Sequence, residues 1–207
     1  MNVQIMKKKW IIGTFALYAL AFVLSCTDKK KETPEGQAEM EHASTDTMPT
    51  EASAPSFQVD EQFQKQLATA FTAYVSLKEA FVATDAAQVK TEASKTRAAV
   101  AGVDMKLLTG AAHNDWMIYL ENIERTLQEI ERTDDIEQQR NSFSTLSDNF
   151  YKSIKAFGLG GLTAYYEFCP MAFNNQGAYW LSDNATIRNP YFGSKMLKCG
   201  SVEEKLQ

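Results

Sequence analysis

Residues 61–85 read "EQFQKQLATAFTAYVSLKEAFVATD". The apolar residues Phe63, Leu67, Phe71, Tyr74, Val75 and Phe81 recur there at steps of three and four. That spacing puts them on one stripe, so the stretch predicts an amphipathic α-helix of about six turns. Thr84-Asp85 reads as a stop followed by a cap. Working outward, Val89, Ala93, Ala99 and Val100 mark a weaker, Ala-rich helix. A third begins after Gly110 and carries Trp116, Leu120, Ile123, Leu127 and Ile130 on one face. Asp134 or Asp135 caps a fourth, with Ile136, Phe143, Leu146, Phe150, Ile154 and Phe157 inside and Gly158 closing it. Four helices of about 17 to 25 residues with short links predict an up-down-up-down antiparallel four-helix bundle over residues 57–157. Roughly 100 residues suffice to bury a core.

The segment Leu162 to Gly200 does not suffice for one of its own. It holds two short β-leaning runs, "TAYYEF" and "AYWL", separated by Asn, Gly, Asp and Pro turn signals. The expectation is a mostly α chain, with a small irregular or β C-terminal segment packed on the bundle as a hairpin with loops. Glu203-Glu204 reads as a solvated tail.

At the other end, Lys7, Lys8 and Lys9 precede an apolar run from Trp10 to Leu24, then Ser25 and Cys26. At about 15 residues the run is short of the ~20 a spanning helix needs and has signal-peptide flanks. Small residues before a cysteine look like a lipobox, so residues 1–25 are expected to be a lipoprotein signal peptide and Cys26 the lipidated residue. An uncleaved membrane anchor is the alternative. Either way the chain is exported to the bacterial cell envelope and faces the periplasm; Thr27 after Cys26 points to the outer membrane. Residues 26–56 have almost no branched or aromatic apolar side chain and contain Pro34, Pro49 and Pro55, the composition of a disordered tether. Its "MEHASTDTM" puts Met40, His42 and Met48 together, thioether and imidazole groups able to capture soft metals. The folded domain is expected to run from 57 to 202.

Net charge is −5, and losing the three signal lysines makes it −8. An acidic chain with no basic stripe excludes nucleic acid as a partner. Catalysis finds little support: His113 is the sole histidine after residue 56 and there is no Cys-x-x-Cys pair, so no enzyme is expected.

Lipidation of Cys26 leaves Cys169 and Cys199 as the thiols of the mature chain. Met171 follows the first at two residues, and Met196 precedes the second at three. Two chemistries fit. A Cys169–Cys199 disulfide would close a loop of about 30 residues, worth roughly 3 kcal/mol in the loop-entropy account. A soft-metal site would use thiolate and thioether sulfurs to hold Cu(I), or Zn(II) with a further nitrogen.

The pieces "VDMKLLTGAAHNDWMIYL", "KAFGLGG", "FCPMAF", "AYWLS" and "IRNPYFGSKMLKCG" carry a family likeness. From about Phe71 to Val202 the chain resembles a periplasmic domain of unknown function, found alone or attached to heavy-metal efflux adaptors of the CusB/HlyD type. The resemblance implies an accessory role in metal handling, most of all of copper, and an efflux adaptor or pump as partner. "CPM" and "KCG" are also similar to a short heavy-metal-binding motif, Cys-Pro-Met-His then Lys-Cys-Gly-Met. Here Ala172 replaces the histidine and Ser201 the last methionine.

His113 is a distant replacement. Trp116 and Met117 follow it at i+3 and i+4, on one helix face. Such a face resembles the His, Met and Trp chemistry of small periplasmic copper chaperones, in which an indole covers the cation. The alternative is that these residues are ordinary helix packing. The expected metal set is therefore Cys169, Met171, Met196, Cys199, His113 and Met117. If the cysteines are a structural disulfide instead, Trp180, Arg188, Tyr191 and Phe192 are the expected protein-docking surface. "IRNPYFG" is then either that exposed loop or a turn needing Asn189-Pro190 and Gly193 for backbone reasons.

Overall fold

The helices form where an apolar stripe and a cap coincide. The computed structural model describes residues 50–51 and 54–207. Cys26 and the segment with Met40, His42 and Met48 lie outside the described residues. Helix α1 (Glu61–Ala83) begins at Asp60, whose carboxylate accepts from the Gln62 N–H, and ends at Thr84 in the left-handed region, φ 58°. Asp85 caps α2 (Ala86–Ala101), accepting from the Ala87 and Gln88 N–H groups. A 3-10 turn at Met105–Leu107 leads to α3 (Gly110–Arg132). Asp135 caps α4 (Ile136–Phe157), and the Gly158 N–H closes it on the Ile154 carbonyl. Each helix packs on the next, and α4 returns to α1.

The stripe on α1 differs from the expected one at two places. Val75 is only half-buried, while Leu77 and the aliphatic stem of Lys78 are inside. The 100° step per residue carries the buried face past Val75 once Tyr74 points at Phe143. Rings dominate this interior. Tyr74 lies 5.4 Å from Phe143 and 4.8 Å from Phe150, and at the far end Trp116 meets Phe63 at 5.2 Å and Phe157 at 6.0 Å.

A small sheet covers the helices. β2 (Ala164–Cys169) and β3 (Ala178–Ser182) form the expected antiparallel hairpin. β4 (Ser201–Leu206) pairs antiparallel with the other side of β2, and β1 (Thr50–Glu51) runs parallel to β4, giving the order β1-β4-β2-β3. The acidic tail is thus a strand. Glu204 sits on its inner face, where Tyr151 donates to it and Lys155 pairs with it at 3.0 Å, so a charge masked the alternation of Val202 and Leu206. The boundary at 56/57 also falls inside structure. Beyond the β1 pairing, Ser56 and Phe57 donate backbone N–H bonds to Lys155 and Ala156, and Phe57 stacks on Phe157.

Strand β3 is an edge, yet two of its backbone groups are occupied. The Leu181 N–H donates to the Tyr74 hydroxyl, and the Tyr191 hydroxyl donates to the Tyr179 carbonyl. Ala164, Cys169, Trp180, Tyr191 and Leu206 join the same hydrophobic core as the helices. The segment therefore shares a core with them.

Candidate functional site

The hairpin loop between β2 and β3 makes an uncommon turn. Phe173, Asn174 and Asn175 have φ of 50°, 58° and 65°, a left-handed turn built without glycine. Each such residue costs of order 1–2 kcal/mol in a left-handed helix, less for Asn. The turn is held by the Asn175 N–H on the Met171 carbonyl and the Gly177 N–H on Ala172, and by the Phe173 ring set edge-on to Tyr191 at 5.3 Å. One result is that Met171 is pushed outward, 45% exposed. It lines a cleft of about 480 Å³ with Phe173, Asn175, Phe192, Met196 and, from α4, Glu137.

The cysteines lie behind that rim. Cys169 is buried at the end of β2; Cys199, before β4, is half-buried. Their sulfurs are 2.7 Å apart. Burial, then the Cys169 thiol, push the Cys199 thiol up to about 11, and the backbone N–H of Met171 works against the shift. Thus Cys169, Met171, Met196 and Cys199, drawn from two patches of sequence, gather around one end of the fold.

Three buried residues hold the gathering together. Arg140 donates to the carbonyls of Pro190 and Phe81, to the Thr84 hydroxyl and to Glu137, so its charge is spent on the loop rather than offered to a ligand. Asn189 accepts from the Tyr191 and Phe192 N–H groups and donates to the Cys199 carbonyl at 2.7 Å. Gly193, φ 56°, has no room for a Cβ against Thr84 and Val82. The Asn189-Pro190 stretch is therefore a turn required by its backbone. Sequence reasoning missed Arg140, which is indistinguishable in the sequence from any helix-surface arginine.

It also missed Glu167. This side chain is fully buried, and neither carboxylate oxygen has a hydrogen-bond partner. Burial raises its pKa to about 8, with Lys78 opposing the shift. Cross-strand from it, Trp180 brings an indole N–H alongside without closing a hydrogen bond. The one signal available was a lone carboxylate inside the apolar run "TAYYEFC".

The other expected site residues lie elsewhere. Trp116 is fully buried against Phe157, so its ring is closed to a cation from solvent. Arg140 at the cleft and Phe157 beside Trp116 stand 17 residues apart on α4, about 25 Å at 1.5 Å per residue. His113 is half-buried on that remote end of α3, and Met117 opens onto an outer depression with Ile118 and Leu120. The structure does not bring either to the sulfurs. Trp180 and Tyr191 are corrected likewise: both are core, 0% and 4% exposed, because the hairpin and its loop complete the aromatic interior. Arg188 is half-exposed and forks onto Glu79 at 2.7 and 2.9 Å, and Phe192 is half-buried on the cleft. Among the described residues no three His, Cys, Asp or Glu side chains converge on one point.

The class defined by these features is a mostly helical domain capped by a small antiparallel sheet. A family model described as a protein of unknown function (DUF3347) matches residues 70–161. The match runs from α1 to just past α4 and stops before β2, so all four gathered sulfurs lie beyond it. No curated protein and no solved structure matches the chain.

Proposed function

We propose that this is an exported, lipid-anchored accessory protein that binds a soft metal ion, Cu(I), in support of heavy-metal efflux or resistance. The observation that carries this reading is the pairing of Cys169 with Cys199 beside the Met171 backbone, with the Met171 and Met196 thioethers lining the adjoining cleft. Thiol and thioether donors suit Cu(I), whereas hard ions want carboxylates and carbonyls. The resemblance to domains attached to efflux adaptors supports an adaptor or pump as recipient. An imidazole is missing among the residues that line the cleft. Met40, His42 and Met48 offer the same soft-donor chemistry as a separate capture element. The ring of helix neighbours supports reading the four as an up-down-up-down bundle.

The second reading is a protein-docking module with a structural Cys169–Cys199 disulfide, favoured by the close approach of the two sulfurs. Of its surface only Arg188 and Phe192 remain reachable. The test is a competitive Cu(I) titration of the reduced chain from residue 27, which holds every described element. Tight one-to-one binding that Cys169→Ser/Cys199→Ser abolishes and Met171→Leu/Met196→Leu weakens supports the metal reading. Weak, identical binding by all three proteins would leave the docking reading.

A further inference from the structure

The two thiols cannot ligate a metal and remain where they are. Sulfur ligands sit about 2.3 Å from a metal, so two on one ion are about 3.8 Å apart at a tetrahedral angle and about 4.6 Å apart in a linear one. The 2.7 Å separation is well short of that range, and nearer to the ~2.05 Å of a covalent disulfide. The approach is imposed by the surroundings. Cys169 is fixed by the β2–β3 ladder opposite Ala178. The Cys199 carbonyl is gripped by Asn189, and the next residue, Gly200, is pressed between the Phe168 carbonyl and the Trp180 ring with no space for a Cβ. Met171, Phe173, Phe192 and Met196, which rim the cleft, all lie in the stretch that a Cys169–Cys199 bond would close.

Resting on the metal reading above, we infer that the Cys169–Cys199 pair is a redox gate on that site: the dithiol opens around a soft cation, and the disulfide excludes it. Cys199 is the partner that solvent reaches, Cys169 the buried one. The oxidant is an external disulfide, of a small thiol or of another exported protein. The Cys199 sulfur attacks it, forming a mixed disulfide and releasing one thiol. The Cys169 sulfur then attacks Cys199, forming the internal bond and releasing the second thiol. Both cysteine protons end on the two released thiols, and the external disulfide takes up the two electrons. Binding and oxidation are linked, so each must oppose the other by the same factor.

The experiment compares Cu(I) affinity of the chain from residue 27 in two states, reduced and then oxidised with oxidised glutathione, each freed of small thiols. The expected result is a loss of about 100-fold or more on oxidation, reversed by re-reduction. Reciprocally, one equivalent of Cu(I) should raise the pair's reduction potential by about 59 mV for each 100-fold of affinity. Equal affinity in both states overturns the gate and leaves the metal reading standing. Failure of both states to bind overturns the metal reading, and the gate falls with it. Should oxidation yield only mixed disulfides and no internal bond, the gate is likewise overturned.

Discussion

Along α1 and α4 the interior is a cluster of rings, with Tyr74 against Phe71, Phe143 and Phe150, and Phe143 against Phe81, at 4.5 to 6.2 Å. Across the C-terminal segment the buried rings Trp180 and Tyr191 are joined by single polar clasps: Arg140 on Pro190, Asn189 on Cys199, Tyr191 on Tyr179. Rings spread their contribution over many neighbours, so one can be shortened at modest cost. A clasp that is cut leaves buried carbonyls with no partner. The helical part should therefore tolerate substitution, and the segment carrying the sulfurs should be brittle.

The strongest attack on that contrast is Arg140→Met. It leaves the buried Pro190 carbonyl without its donor and loosens the ties to Phe81 and Thr84, with an expected cost of about 2–3 kcal/mol, against about 1–1.5 for Phe150→Leu. Urea midpoints measure both, and hydrogen exchange should show residues 183–200 loosening first in the arginine variant. Comparable costs for the two would erase the contrast.

Glu167 comes next. Its carboxyl ionises near pH 8 when folded and near 4.5 when unfolded, so the folded state holds a proton that the unfolded chain releases. The contribution of Glu167 to stability should be greatest below 4.5 and fall as pH rises to about 8, by at most about 1.4 kcal/mol per unit. Glu167→Gln should flatten the fall between pH 5 and 8; parallel profiles for variant and parent would show that some other group carries it.

Asn189→Ala should cost about 2 kcal/mol by orphaning two N–H groups and a carbonyl. It should also slow closure of the cysteine pair, read as the rate of thiol loss under oxidised glutathione, whereas a merely local loss of stability would leave that rate alone. The smallest effect has the opposite sign. Asn174→Gly should stabilise by about 0.5–1 kcal/mol, since the turn asks for a left-handed backbone that glycine adopts without strain. A neutral or destabilising result would mean that the Asn174 side chain contributes something to the cleft.

The helices were legible because each carries a 3.6-residue stripe, reinforced at α2 and α4 by the caps Asp85 and Asp135, and both signals are local. The hairpin was legible for the same reason, through alternation and turn residues. β4 was not, since its inward Glu204 becomes acceptable only when Lys155 and Tyr151 arrive from α4. At the site, the cysteines and methionines announced themselves by chemistry, but their company did not. Whether His113 or Trp180 faces the sulfurs depends on which end of α4 each element meets, and that is decided by packing between residues far apart in sequence. Arg140 and Asn189 are ordinary residues until folding buries them.

The hydroxyls of Tyr74 and Tyr191 have one more consequence. A bare edge strand invites a neighbouring molecule to zip onto it, the first step toward domain swapping and fibrils. On β3 the Tyr179 carbonyl and the Leu181 N–H are already bonded, so that edge is partly blunted. Copies meeting at that edge would find two of its backbone groups already bonded, which weakens it as a template for a new strand.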